Sequence, residues 1–351
     1  MSERDSPGAQ GYQRGDAPAP APSPAAQDDQ RSQAPGPAQP PGPHDGSPAG
    51  SARTITTGRN LPVAIAVGLA LGALVLVTLL TVKVTFLALV AVLVGVALWE
   101  LDRALGARQI ALPLVPLWIG EAAMLALAYW RGARPALAAL ALTFIAILVW
   151  RLRSGTGGYL RDVTAGAFAL LYLPAMATFV ALLLAQPDGA HRTLLFVILT
   201  ACSDTGGYFA GILFGHHPMA PSISPKKTWE GLTGSVIACL AGGALGVTLL
   251  LHGALWAGLV LGLGAVAAAT LGDLVESTIK RDLDTKDMSS ILPGHGGVLD
   301  RLDSLVIVAP VAWLLMTVLL GRLARGASGI NVTSVSLQQH RCHIDAAALA
   351  S

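Results

Sequence analysis

Between Gly272 and Ser304 the chain reads GDLVESTIKRDLDTKDMSSILPGHGGVLDRLDS, the densest run of charge in an otherwise apolar sequence. Asp273, Glu276, Ser277 and Lys280 are spaced i, i+3, i+4, i+7 and so share one face of a helix. Asp300, Asp303 and Ser304 follow the spacing i, i+3, i+4 at the start of the next apolar run. Carboxylates completed by water and phosphate oxygens are the donors that a magnesium ion prefers. The Lys and Arg side chains among them suit phosphate oxygens. Gly294, Gly296 and Gly297 flank His295 and let backbone N–H groups approach an anion closely. Together the pattern predicts a metal–polyphosphate site. The plainer alternatives are a helix cap for Asp300 or Asp303, membrane-topology anchors for Lys280 and Arg281, and a turn position for His295.

Two further groups of residues carry chemistry. Asp204 lies inside an apolar run beside Ser203, Gly206, Gly207 and Tyr208. A carboxylate there is costly, which favours a metal or substrate role over a structural one. The segment Ser222–Gly231 has Pro225 at a predicted tight turn, then Lys226 and Lys227, with hydroxyls on Ser224 and Thr228. It suits a clamp on a triphosphate or a lipid phosphate, and its plainer reading is a positively charged loop. No nucleophile with an adjacent base stands out, and there is no GxxxxGK[ST] loop. Both absences suit a reaction in which the attacking group is already an anionic phosphate. Catalysis then rests on positioning and charge neutralisation.

The elements that must hold these residues are membrane helices. Only 13% of the 351 residues are charged and 53% are hydrophobic, with mean hydropathy +0.60. A soluble domain is nearer a quarter charged. The expected fold is therefore an all-α polytopic integral membrane protein. Apolar runs near 61–82, 84–103, 111–130, 135–152, 164–185, 192–214, 231–252, 254–276 and 303–323 predict about nine transmembrane helices. Residues 1–58 hold half of the prolines and show no apolar periodicity, which predicts a disordered Pro/Ala/Gln-rich tail. The membrane domain is expected over 59–325 and an unstructured tail over 326–351. With the N-terminus inside, thirteen Lys and Arg fall on the inner segments next to the helices and six on the outer ones. That bias puts the charged stretch on the cytoplasmic face. The small-residue pairs Gly68/Gly72, Gly242/Gly246 and Gly258/Gly262 permit close helix contact, within the chain or at a dimer seam. No nucleic-acid partner is expected.

The run Ser277-x-x-Lys280-Arg281-x4-Lys286-Asp287-x4-Leu292-Pro293-Gly294-His295-Gly296-Gly297-x-x-Asp300-Arg301-x-Asp303 resembles the signature of the phosphatidate cytidylyltransferases, the CDP-diacylglycerol synthases. Ser203-Asp204-Thr205 with Gly207-Tyr208-Phe209, and Ile223-Ser224-Pro225-Lys226-Lys227-Thr228-x-Glu230-Gly231, are similar to a second region of that family. His216 departs from it, standing where members often carry Lys or Arg. The resemblance spans about 60–323 and implies an enzyme of the cell (inner, plasma) membrane working in phospholipid biosynthesis. The implied reaction is CTP plus phosphatidate giving CDP-diacylglycerol and pyrophosphate. It implies Mg²⁺, alone or with a second cation, held by Asp273 and Asp300, with Asp303 added as a further ligand or support. Lys226, Lys227, Lys280, Arg281 and Arg301 are expected on phosphates. Asp204, Ser224, Thr228, Ser277, Lys286, His295, Gly296 and Gly297 are expected to meet the substrates. The family also implies a homodimer. Two rival readings are a CTP-using polyprenol or phytol kinase, which should lack the full signature, and a transporter. A transporter predicts charge at the midplane of several spans, whereas charge here gathers at one face, Glu100 and Glu121 being the main exceptions.

Overall fold

The computed structural model describes residues 61–285, 288, 289, 291 and 296–320. The two predicted tails, and with them Lys286 and His295, lie outside the described residues. Nine helices occupy the described part, where nine apolar runs were read: α1 (Leu61–Thr81), α2 (Lys83–Gly106), α3 (Leu114–Arg131), α4 (Ala133–Leu152), α5 (Tyr159–Leu184), α6 (Gly189–Phe214), α7 (Trp229–Leu250), α8 (Leu255–Asp282) and α9 (Leu299–Leu320). Seven of them, α2 and α4–α9, are long and apolar enough to cross a membrane. In α1 the apolar helix is the shorter Ala66–Thr81. Pro116 and the buried Glu121 dilute α3. The chain is thus a polytopic all-α membrane protein. Helices are the natural solution here because hydrocarbon offers no partner to backbone N–H and C=O groups, and a helix pairs its own.

Several boundaries differ from the sequence reading, and two of them matter. The helix α8 continues to Asp282, past the expected end at 276. Asp273, Glu276, Ser277 and Lys280 therefore lie on one unbroken helix. The helix α9 starts at Leu299 rather than 303, which places Asp300 and Asp303 in its first turn and a half. Within α5, Leu171–Ala175 forms a π-helical turn around Pro174. Proline has no N–H to offer the preceding turn, and the wider turn absorbs the mismatch.

Loop contacts give the bundle two distinct ends. At one, Lys83 Nζ donates to the Gln186 carbonyl at 2.8 Å, joining the α1–α2 turn to the α5–α6 loop. At the other, Arg108 after α2 meets the carbonyl of Asp282, the last residue of α8, at 2.7 Å, and Asp284 just beyond it at 2.6 Å. Leu98, Leu101, Leu117, Leu125, Leu170, Leu173, Leu183 and Leu195 are fully buried where α2, α3, α5 and α6 meet. Leu142, Ile145, Leu213, Ile237, Leu245 and Leu249 face outward, an apolar exterior suited to lipid.

The tightest packing joins α6, α7 and α8, and glycine makes it possible. A Cβ at Gly206 would lie 2.7 Å from the Gly234 carbonyl oxygen. One at Gly258 would lie 2.8 Å from Ala244 Cα, and one at Gly262 would lie 2.8 Å from the Cys239 carbonyl carbon. The pairs Gly242/Gly246 and Gly258/Gly262 therefore serve contacts inside the chain: the first faces Cys202 and Leu195 of α6, the second faces α7. Gly258→Leu should accordingly lower stability by about 1–3 kcal/mol through overpacking. Gly72→Leu, which meets open space, should leave it unchanged. Thermal unfolding of the two variants in detergent checks the contrast.

The described residues form one antiparallel ribbon, β1 (Pro218–Ala220) with β2 (Ser224–Thr228), between α6 and α7. Pro225 lies within β2 rather than opening a turn. Each strand of a two-stranded ribbon keeps a free edge, where a missing N–H costs little.

Candidate active site

Residues of α6, α7, α8 and α9 and of the ribbon line an open cavity of about 560 Å³. The helix α6 brings Asp204, β2 brings Lys226, Lys227 and Thr228, α8 brings Asp273, Glu276, Ser277 and Lys280, and α9 brings Asp300, Arg301 and Asp303. Thr228 also caps α7, its Oγ1 accepting the Gly231 N–H at 3.1 Å. That cap fixes the turn from β2 into α7 and so the direction of the two preceding lysines.

The charges interlock in two groups. In the first, Lys227 Nζ pairs with Asp273 Oδ2, and the Ser304 hydroxyl donates to Asp273 Oδ1 at 2.6 Å. The same Ser304 Oγ lies 3.4 Å from Asp204 Oδ1, so one hydroxyl links the carboxylates of α6 and α8. Asp303 Oδ1 accepts the Ser304 N–H at 2.7 Å, which steers its carboxylate beside the same hydroxyl. In the second group, Lys280 Nζ lies 2.8 Å from Glu276 Oε2 and 2.9 Å from Asp300 Oδ1. Asp300 Oδ2 further accepts the Gly297 N–H at 2.7 Å, and both of its oxygens lie 3.2 Å from the Met288 N–H. Glu276 Oε1 is buried with no partner among the described residues.

The ribbon is pinned over this site. Arg281 Nε donates to the Ile223 carbonyl at 3.3 Å, tying the β1–β2 turn to the end of α8. Glu230 gathers His217 Nδ1 at 2.6 Å and the His216 and His217 N–H groups at 3.3 Å. His216 thus helps to fix the ribbon's start by its backbone.

Residues 62–319 match the cytidylyltransferase family. The chain belongs to that family. It is 39% identical over 282 residues to the phosphatidate cytidylyltransferase of Mycobacterium bovis, a span that is 77% of this chain and 92% of the relative. It is 40% identical over 282 residues to that of Mycobacterium leprae, covering 76% and 90%. A shorter stretch, 127 residues, is 40% identical to the phosphatidate cytidylyltransferase of Haemophilus influenzae, covering 35% and 44%.

Ten of the residues given a catalytic, substrate or metal role from the sequence line this cavity: Asp204, Lys226, Lys227, Thr228, Asp273, Ser277, Lys280, Asp300, Arg301 and Asp303. Ser224 and Arg281 instead brace the ribbon. Gly296 and Gly297 stand beside the cavity rather than in its lining. Gly296 takes a left-handed φ of 84°, and the Gly297 N–H is occupied by Asp300. Glu276 and Ser304 were legible as members of helix faces, but their roles as a buried partner of Lys280 and a hydroxyl bridge were not. Glu100 sends no atom to the lining, yet accepts the Val298 and Leu299 N–H groups, directly before Asp300 of the lining.

Proposed function

We propose that the chain transfers the cytidylyl group of CTP to phosphatidate, giving CDP-diacylglycerol and pyrophosphate. The observation that carries this reading is a single open cavity at one end of an apolar bundle, where Lys226, Lys227, Lys280 and Arg301 face five carboxylates. The cations suit a triphosphate together with the phosphate of a lipid headgroup. The position at the end of the helices suits a lipid whose tails stay in the bilayer. A phosphate oxygen of phosphatidate attacks the α-phosphorus of CTP, the new P–O bond forms, the bond to the β-phosphate oxygen breaks, and pyrophosphate leaves. The attacking oxygen is already anionic, so no side chain has to remove a proton. The protein's part is to align the two phosphates and to offset the charge that builds between them.

A divalent cation fits the same cavity. Among the described residues no three His, Cys, Asp or Glu side chains form a metal cage by themselves. Magnesium rarely uses one, being held instead by one or two carboxylates with water and substrate phosphates. The orphaned Glu276 Oε1 and the carboxylates linked by Ser304 supply oxygen donors of that kind. Asp273 and Asp303, with Asp204 beside them, are the residues that would hold Mg²⁺, which would neutralise charge on the leaving pyrophosphate. Asp300 is engaged by Lys280 and two N–H groups, so the contacts support a loop-holding role for it more directly than a ligand role.

The Lys and Arg bias of the segments at this end supports a cytoplasmic face of the cell membrane. The glycine pairs near residues 242–262 are used inside the chain, which leaves a homodimer to other surfaces. No part of the reading calls for a nucleic acid.

Purified protein in detergent–phosphatidate micelles with labelled CTP, with and without Mg²⁺, tests the reaction. Expected are CDP-diacylglycerol and pyrophosphate in equal amounts, and loss of both on chelation. Movement of the γ-phosphate to a lipid alcohol would replace this reading with the kinase one.

A further inference from the structure

Glu100 is a fully buried carboxylate on α2, at 0% exposure. Its Oε1 accepts the Val298 N–H at 2.9 Å and the Ser289 hydroxyl. Its Oε2 accepts the Leu299 N–H at 2.7 Å. From the other side, Asp300 takes the Gly297 N–H. Three successive N–H groups at the start of α9 are therefore held by two carboxylates from different parts of the chain. The first N–H groups of any helix lack partners within it. Buried here, these would be costly to leave unmade, and a negative charge at this end also suits the helix dipole.

Gly297 shows how closely the carboxylate is fitted. A Cβ there would lie 2.8–3.0 Å from Glu100 Oε2, Oε1 and Cδ. This glycine, which the sequence suggests for close approach to an anion, does approach one, and the anion is a side chain of the protein. The first turns of α9 carry Asp300, Arg301, Asp303 and Ser304, four of the groups that face or brace the cavity. Their direction follows from where the helix starts and how its first turn is held.

We propose that Glu100 is a positioning residue for cytidylyl transfer. From α2, outside the cavity, it fixes the start of α9 and so the aim of Asp300, Arg301 and Asp303. The proposal rests on the transfer reaction above for its kinetic effect, while its structural effect can be read without turnover.

Glu100→Gln keeps the size of the side chain but turns an amide NH₂ toward one of the backbone donors. Displacements of about 1 Å can reduce turnover by roughly 100-fold, so kcat should fall by about that factor, with KM for CTP changed less because Lys226 and Lys227 stand on β2, away from α9. Glu100→Asp keeps both acceptor oxygens and should recover part of the loss. Hydrogen exchange at the Val298 and Leu299 amides should accelerate in Glu100→Gln while the amides of α6 and α7 keep their protection. Gly297→Ala should lower kcat in the wild-type background and add nothing to Glu100→Ala, where its collision partner is gone. Wild-type kcat in Glu100→Gln, unchanged exchange at Val298 and Leu299, multiplicative losses in the Gly297→Ala pair, or a loss matched wholly by less folded protein would each overturn the proposal. Wild-type protein without cytidylyl transfer would instead defeat the reaction, and the exchange measurement would still decide the role of Glu100.

Discussion

Asp273→Asn should reduce cytidylyl transfer by about a thousandfold while the protein inserts, purifies and unfolds much as the wild type does. The side chain lines the cavity, 26% exposed, with Lys227 on one oxygen and Ser304 on the other. Asparagine keeps the shape and can still accept from Ser304. What disappears is the negative charge that holds the Lys227 ammonium in place and offers a hard donor to a divalent ion. Removing one preorganised electrostatic partner of a transition state lowers turnover by roughly 10²–10³-fold, and here one substitution disturbs both a cation and the proposed metal donor. The fold should tolerate it, because a partly exposed ion pair contributes only about 1 kcal/mol or less. Turnover with CTP and phosphatidate, set beside thermal unfolding in the same detergent, separates the two effects. A variant that keeps more than about a tenth of wild-type turnover would remove Asp273 from the metal and phosphate chemistry. Raised Mg²⁺ should restore part of the activity if the lost group is a ligand.

Much of this site was legible because helical periodicity extends from an apolar run into the charged residues that follow it. Asp273, Glu276, Ser277 and Lys280 fall on one face whatever surrounds the helix. Asp204 announced itself as a charge where hydrocarbon makes charge costly. Periodicity, however, gives the direction of a side chain around its own helix and says nothing of which other helix end lies opposite. The pairing of Lys227 with Asp273, 46 residues on, and of Glu100 with Val298 and Leu299, almost 200 residues on, depends on how the bundle closes. Glycine-rich segments carry the same ambiguity. Gly296 and Gly297 advertise close approach by some anion, and only the fold shows the Glu100 carboxylate against Gly297. Pro225 misled for a related reason: proline suits a turn or an edge strand equally well, and ribbon pairing with Pro218–Ala220 decides between them.

Lys280→Met is expected to have the largest effect on stability. Lys280 is the described cation between Glu276 and Asp300, whose side chains are 2% and 3% exposed. Removing one partner of a buried ion pair costs about 3–5 kcal/mol, because the remaining charge stays out of water uncompensated. Against a total stability of roughly 5–15 kcal/mol, that should appear as a large fall in unfolding temperature. The same ammonium lines the cavity, so lost activity in Lys280→Met could come from the damaged fold or from a missing phosphate contact. Glu276→Gln in the same chain separates the two. It removes one of the two stranded carboxylates without removing its bulk, so the double variant should regain much of the lost stability. Because neighbouring groups in one network do not add independently, the recovery should exceed what Glu276→Gln does alone. If turnover stays low while stability returns, Lys280 acts on substrate phosphate. If turnover returns with stability, its positive charge serves only to hold Glu276 and Asp300, and the phosphate contacts fall to Lys226, Lys227 and Arg301.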